Sequence, residues 1–84
     1  MLKLFYREGC HLCEDMVTML HRGWPDRLDY LEWCDVDQNL QWKDEYGLRV
    51  PVLMLDQTLI CELIPSPEAL ISHFGAPQNP LEFT

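Results

Sequence analysis

The chain has 84 residues, 48% of them hydrophobic, and a formal charge of -8 from fourteen acidic and six basic side chains. That length makes one domain with a modest core, and the acidic balance repels phosphate backbones and anionic headgroups, which argues against nucleic-acid and membrane-surface roles. The apolar opening Met1 to Tyr6 is too short for a signal peptide, and no later run approaches the roughly 18 residues of a membrane span, so the expectation is a cytoplasmic protein with reduced thiols.

Leu2 to Tyr6, apolar apart from Lys3 and ended by Arg7-Glu8-Gly9, reads as a short buried strand. From Cys10 to about Arg22, Leu12, Met16, Met19 and Leu20 recur at three- and four-residue steps. Glu14 and Asp15 fall in the first turn and Arg22 in the last, which predicts an amphipathic helix stopped by Gly23 and Pro25. Tyr30 to Val36, with Leu31, Trp33 and Cys34 among acidic partners, suits a second strand with one face covered. Asn39 as N-cap and Gly47 as a left-handed terminator bound a short helix from Leu40 to Tyr46, with Trp42 and Tyr46 on one face.

Val52 to Leu55 and Thr58 to Cys61 flank Asp56-Gln57 as a tight hairpin, although Gln replaces the usual Gly. Ser66 and Pro67 open a last helix, expected to turn Leu70, Ile71 and Phe74 inward and to end at Gly75 and Pro77. The domain is expected over 1–75, with 76–84 as a tail that carries two prolines, no period and a frayed end. The order strand, helix, strand, helix, strand, strand, helix predicts an α/β fold: a parallel pair from the strand-helix-strand unit, an antiparallel hairpin added to it, and a four-stranded mixed sheet flanked by three helices.

Four cysteines are present, and only Cys10 and Cys13 stand at C-x-x-C spacing. Cys10 would lie at the start of a helix, where unpaired backbone N–H groups and the positive end of the dipole stabilise a thiolate. Cys13, one turn on, is within reach of it and joins the buried stripe, which suggests a nucleophile at Cys10 and a resolving thiol at Cys13. Arg7 adds a positive charge nearby, and His11 sits between the cysteines, where an imidazolium would favour the thiolate. Val50-Pro51 opens the third strand, where a proline can neither donate to a ladder nor needs to. A cis bond there would leave the Val50 backbone open to a substrate peptide. One of Trp24, Trp33 and Trp42 could border such a groove; the sequence does not say which.

Tyr6-Arg7-Glu8-Gly9-Cys10-His11-Leu12-Cys13, followed about forty residues on by Arg49-Val50-Pro51-Val52-Leu53, resembles a glutaredoxin-like member of the thioredoxin superfamily from Leu2 to about Phe74. The resemblance implies a thioredoxin-like fold and thiol-disulfide oxidoreductase activity, with Cys10 as nucleophile, Cys13 as resolving thiol and Pro51 as a cis proline facing them. It also places Arg7 where glutaredoxins carry a basic residue that helps bind the glutathione carboxylate. His11, Leu12, Arg49 and Val50 complete the expected substrate-binding set. Three positions depart from glutaredoxins: His11-Leu12 replaces Pro-Tyr, Arg49 replaces a usual Thr, and Glu62-Leu63-Ile64-Pro65 replaces Gly-Gly-x-Asp.

The expected partners are a disulfide-containing protein or a glutathione mixed disulfide, with a reductase or glutathione as electron donor. No cofactor is expected, glutathione entering only as a co-substrate. The competing reading is a non-catalytic adaptor or metal carrier using the same pair, for which Cys34 and Cys61 would have to converge on Cys10 and Cys13 to complete a zinc site.

Overall fold

The computed structural model describes residues 1–81. In chain order the elements are β1 (Leu2–Tyr6), α1 (His11–Gly23), α2 (Pro25–Leu28), β2 (Leu31–Asp35), a 3₁₀ turn (Val36–Gln38), α3 (Leu40–Tyr46), β3 (Val52–Leu55), β4 (Thr58–Glu62) and α4 (Pro67–Phe74). The sheet order is β2-β1-β3-β4, with β1 parallel to β2 and antiparallel to β3, and β3 antiparallel to β4. This is the predicted mixed sheet, with four helices in place of three. The addition is α2, a single turn opened by Pro25, too short to carry a hydrophobic period.

The sheet divides the core in two. On one face Leu4, Met16, Leu20, Leu53 and Leu70 are fully buried between the strands, α1 and α4. Each such side chain contributes about 1.5–3 kcal/mol of transfer free energy. On the other face Phe5, Cys34, Val36 and Val52 pack under α3. Phe5 stacks on Tyr46 at 4.0 Å between ring centroids and meets Trp42 edge-on at 5.8 Å, so the predicted shared face of α3 is the one that covers the sheet.

Asn39 caps α3 by accepting the Trp42 N–H at 3.1 Å, and Ser66 caps α4 by accepting the Ala69 N–H at 3.2 Å. Gly47 corrects an expectation, because its φ of -55° is right-handed. Glycine is needed there for space: a Cβ would run into the Lys43 carbonyl oxygen and press on the Arg7 guanidinium. Ile71 is a second correction, being 43% exposed while Leu70 beside it is fully buried; one stripe of the eight-residue α4 suffices to meet the sheet. The Asp56-Gln57 turn tolerates Gln because only Asp56 takes a left-handed φ, 53°, which aspartate accepts more readily than most residues.

The stretch after Gly75 is ordered against α1 as far as the structure describes it. Gln78 N–H donates to the Gly23 carbonyl at 2.8 Å, Asn79 Nδ2 to the Arg22 carbonyl at 3.0 Å, and Leu81 is buried in the main core. Pro77 and Leu81 come so close to Gly23 that a Cβ there would stand 2.9 Å from Leu81 Cδ2. Residues 76–81 of the expected tail thus bond to and pack on α1; residues 82–84, where the frayed end was expected, lie outside the described residues.

Candidate active site

The C-terminal end of β1 delivers the chain into the loop Arg7-Glu8-Gly9, where Gly9 adopts a φ of 75° that side-chain-bearing residues avoid. Cys10 follows in an extended conformation as the N-cap of α1, and its Sγ accepts the Cys13 N–H at 3.2 Å. Cys10 is half-buried and Cys13 is buried, 4% exposed. Their Cα atoms are 5.2 Å apart, and the two sulfurs stand at disulfide distance. The helical rise thus does what the spacing required: it places one sulfur at the rim and the second beneath it.

The basic residues expected at the site are engaged by the chain's own carboxylates. Arg7 donates through Nε and Nη2 to Asp37 at 3.0 and 3.1 Å, and through Nη1 to the Gly47 carbonyl at 3.3 Å. Arg49 donates through Nε to Glu62 at 2.7 Å and lies over the Tyr46 ring. Hydrogen bonding to Arg49 draws the Glu62 carboxyl below its ordinary pKa, and the same bond raises that of Arg49. By contrast Glu8 and Glu14, both exposed, make no ion pair among the described residues.

The Phe5–Val52 register sets the loop entering β3 beside the end of β1. In that loop the Val50–Pro51 peptide is cis, Pro51 is buried and Val50 is half-buried. Leu63 N–H donates to both the Arg49 and Pro51 carbonyls at 3.0 Å, fastening the loop to the end of β4. Val50 makes none of the backbone hydrogen bonds that the described residues form outside helices and strands. His11 and Leu12 are exposed in the first turn of α1.

A groove of about 540 Å³ opens on the opposite flank of the cysteines, toward β2. Of the expected residues it gathers Arg7, Cys10 and Cys13; His11, Leu12, Arg49, Val50 and Pro51 are not among its walls. Its remaining walls are Tyr6 and Trp33 from the sheet and Val17 and Thr18 from α1, with Glu8 and Glu14 alongside. Trp33 is 48% exposed and meets Tyr6 edge-on at 5.9 Å, while Trp24 and Trp42 are taken up in the two cores. What sets Trp33 apart is its place two residues after Leu31 on the edge strand β2, opposite Leu4 in the register with β1, which the sequence alone does not give.

Cys34 and Cys61 are buried on opposite faces of the sheet, in the α3-side and α1-side cores respectively. Burial is the main cause pushing both thiols above the ordinary cysteine pKa. Among the described residues no group of three or more His, Cys, Asp or Glu side chains gathers at metal-binding range. No helix of the described residues is long and apolar enough to cross a membrane.

A thioredoxin-like sheet whose first strand leads into a C-x-x-C pair at the start of α1, the two sulfurs at disulfide distance, fits a thiol-disulfide redox role. Residues 1–74 match the Glutaredoxin-like domain (DUF836), and the chain belongs to that family. Among solved structures it is similar to the target protein XcR50 from X. campestris, with 27% sequence identity and a TM-score of 0.70 over 87% of this chain and 93% of that one. No curated protein matches the chain.

Proposed function

We propose that this protein is a thiol-disulfide oxidoreductase that uses the Cys10/Cys13 couple on disulfide-containing protein partners. One observation carries the reading: Cys10 Sγ occupies the N-cap of α1 and accepts a backbone N–H, with buried Cys13 one turn behind it. A sulfur in that position gains charge stabilisation when it ionises, which is what a nucleophilic cysteine needs near neutral pH.

In the reduced protein the Cys10 thiolate attacks one sulfur of the substrate disulfide. A Cys10–substrate bond forms, the substrate S–S bond breaks, and the departing sulfur leaves as a thiolate that takes a proton from water. Cys13, losing its proton, then bonds to Cys10 Sγ and expels the second substrate sulfur. The substrate has gained two electrons and the protein holds an intramolecular disulfide. A dithiol reductase or glutathione returns the two electrons, and no resident cofactor takes part.

Val50 and Pro51 supply backbone beside the pair for a short strand addition by the partner, and exposed His11 and Leu12 offer contact surface. Arg7 and Arg49, held by Asp37 and Glu62, favour a protein partner over an anionic tripeptide, leaving glutathione a secondary co-substrate. Such chemistry suits the reducing cytoplasm.

The test is a redox titration of the reduced protein against glutathione and protein-dithiol buffers, with alkylation rates read cysteine by cysteine. The expected result is a two-electron couple in which Cys10 is alkylated faster than Cys13. Failure to exchange with any disulfide would refute the reading. Stoichiometric zinc or an iron-sulfur chromophore in protein purified without chelator, with Cys10 protected, would favour a metal carrier instead.

A further inference from the structure

We infer that the groove between Trp33 and α1 is a specificity subsite for a lysine or arginine side chain of the partner, close to the partner cysteine that bonds to Cys10. The inference rests on the redox reading above and adds to it the chemical class of the substrate.

Cys10 and Cys13 are themselves among the groove's walls, so a disulfide brought to Cys10 carries its neighbouring residues alongside it. Its walls are apolar where the stem of a long side chain would lie: Trp33 and Tyr6 on the sheet, Val17 on α1. About half of Trp33 faces solvent, although the ring packs edge-on against Tyr6 and is held in place. A fixed, accessible indole face is the best aromatic partner for a cation.

Among the described residues, the charges that line it without an ion pair are all acidic. Arg7, the groove's own cation, is neutralised by two hydrogen bonds to Asp37. Lys3, the basic residue within β1, is 3.5 Å from Glu32. Glu8 and Glu14 line the groove without an ion pair among the described residues. Burial, first, and then the nearby Asp35 and Glu8 carboxylates raise the Tyr6 pKa, so its hydroxyl carries no charge of its own. An aliphatic stem against Val17 with its cationic head at Trp33, in the field of Glu8 and Glu14, matches these walls, whereas an acidic side chain meets two like charges.

The test uses three disulfide-linked peptides that differ only in the residue following the cysteine: Arg, norleucine or Glu. The second-order rate of oxidation of the reduced full chain is measured for each at low salt. The Arg peptide is expected to react about tenfold faster than the Glu peptide, with norleucine between them. Trp33→Ala and, separately, Glu14→Gln are each expected to reduce the Arg/Glu ratio about threefold. Asp44→Asn, which removes a charge from exposed α3 on the opposite face of the sheet, is expected to keep it. A ratio near one, a ratio unmoved by both groove variants, or an equal fall in Asp44→Asn would overturn the inference, the last showing only the pull of net charge. Absence of exchange with all three peptides and with a small neutral disulfide would remove the redox reading itself, a result distinct from loss of selectivity.

Discussion

Arg7 faces Asp37 across the gap between the end of β1 and the turn after β2, and the guanidinium meets the carboxylate with two donors, at 3.0 and 3.1 Å. The residue whose charge would otherwise serve the thiolate or an anionic ligand is thereby held by the fold. Asp37→Asn should release it. The Cys10 alkylation rate below neutral pH is expected to rise, and exchange with glutathione disulfide to speed up several-fold, while stability falls by under about 1 kcal/mol because both partners are well exposed. Unchanged glutathione kinetics in the variant would show that Arg7 has no bearing on ligand choice.

The four cysteines should differ in reactivity. In the reduced native protein Cys10 is expected to be alkylated fastest at neutral pH and Cys13, buried beneath it, more slowly, whereas Cys34 and Cys61, enclosed in the two cores with thiol pKa values raised chiefly by burial, react only after denaturation. Cys13→Ser should accumulate a mixed disulfide on Cys10, and Cys10→Ser should abolish exchange. Peptide mapping of the labelled sites decides each point.

Gly23→Ala places a methyl group against Leu81 and Pro77. The expected cost is about 1–3 kcal/mol, that of overfilling a packed site. In a chain ending at residue 76 the same substitution should cost far less, since the groups it strikes are gone. Equal costs in the two backgrounds, read from denaturant midpoints, would mean that the stretch 76–81 does not press on α1.

Acid should loosen the loop that enters β3. Glu62 has its pKa lowered in the folded state by Arg49, so the pair's contribution is present above the ordinary carboxylate range and is lost as pH falls through the lowered value. Hydrogen exchange at Leu63, whose N–H holds the Arg49 and Pro51 carbonyls, is expected to accelerate relative to the core strands once pH falls below the ordinary carboxylate range. In Glu62→Gln that pH dependence should vanish, with exchange already faster at neutral pH.

Leu63 itself adopts a φ of 66° and is 47% exposed. A left-handed residue with a side chain costs about 1–2 kcal/mol, against about 0.5–1 kcal/mol for the extra unfolded-state freedom of glycine. Leu63→Gly is therefore expected to stabilise the protein by up to about 1 kcal/mol. A clear fall in the urea midpoint would assign the leucine a packing role that its exposure does not suggest.

Much of this architecture is written locally. The run Leu2 to Tyr6, the stripe of Met16, Met19 and Leu20, and the caps Asn39 and Ser66 each specify an element from its own residues, and β1, α1, α3 and α4 form within a residue or so of where they were expected. The closeness of Cys10 and Cys13 was legible for the same reason, since helix geometry alone brings residue 13 back over residue 10. What could not be read depends on partners distant in sequence. Gly47 is glycine because Lys43 and Arg7 crowd it, Leu81 is buried because Gly23 makes room, and Arg7 is spoken for by Asp37, thirty residues on. Trp33 could not be told from Trp24 and Trp42 until the register with β1 placed it at the rim of the groove.

The sheet that separates Cys34 from Cys61 also acts as an insulator. Neither buried thiol can approach the other without unfolding, and neither lines the groove beside Cys10 and Cys13. Under the proposed redox function, electrons would therefore enter and leave through the Cys10/Cys13 pair alone, and repeated turnover should not scramble the protein's sulfur wiring.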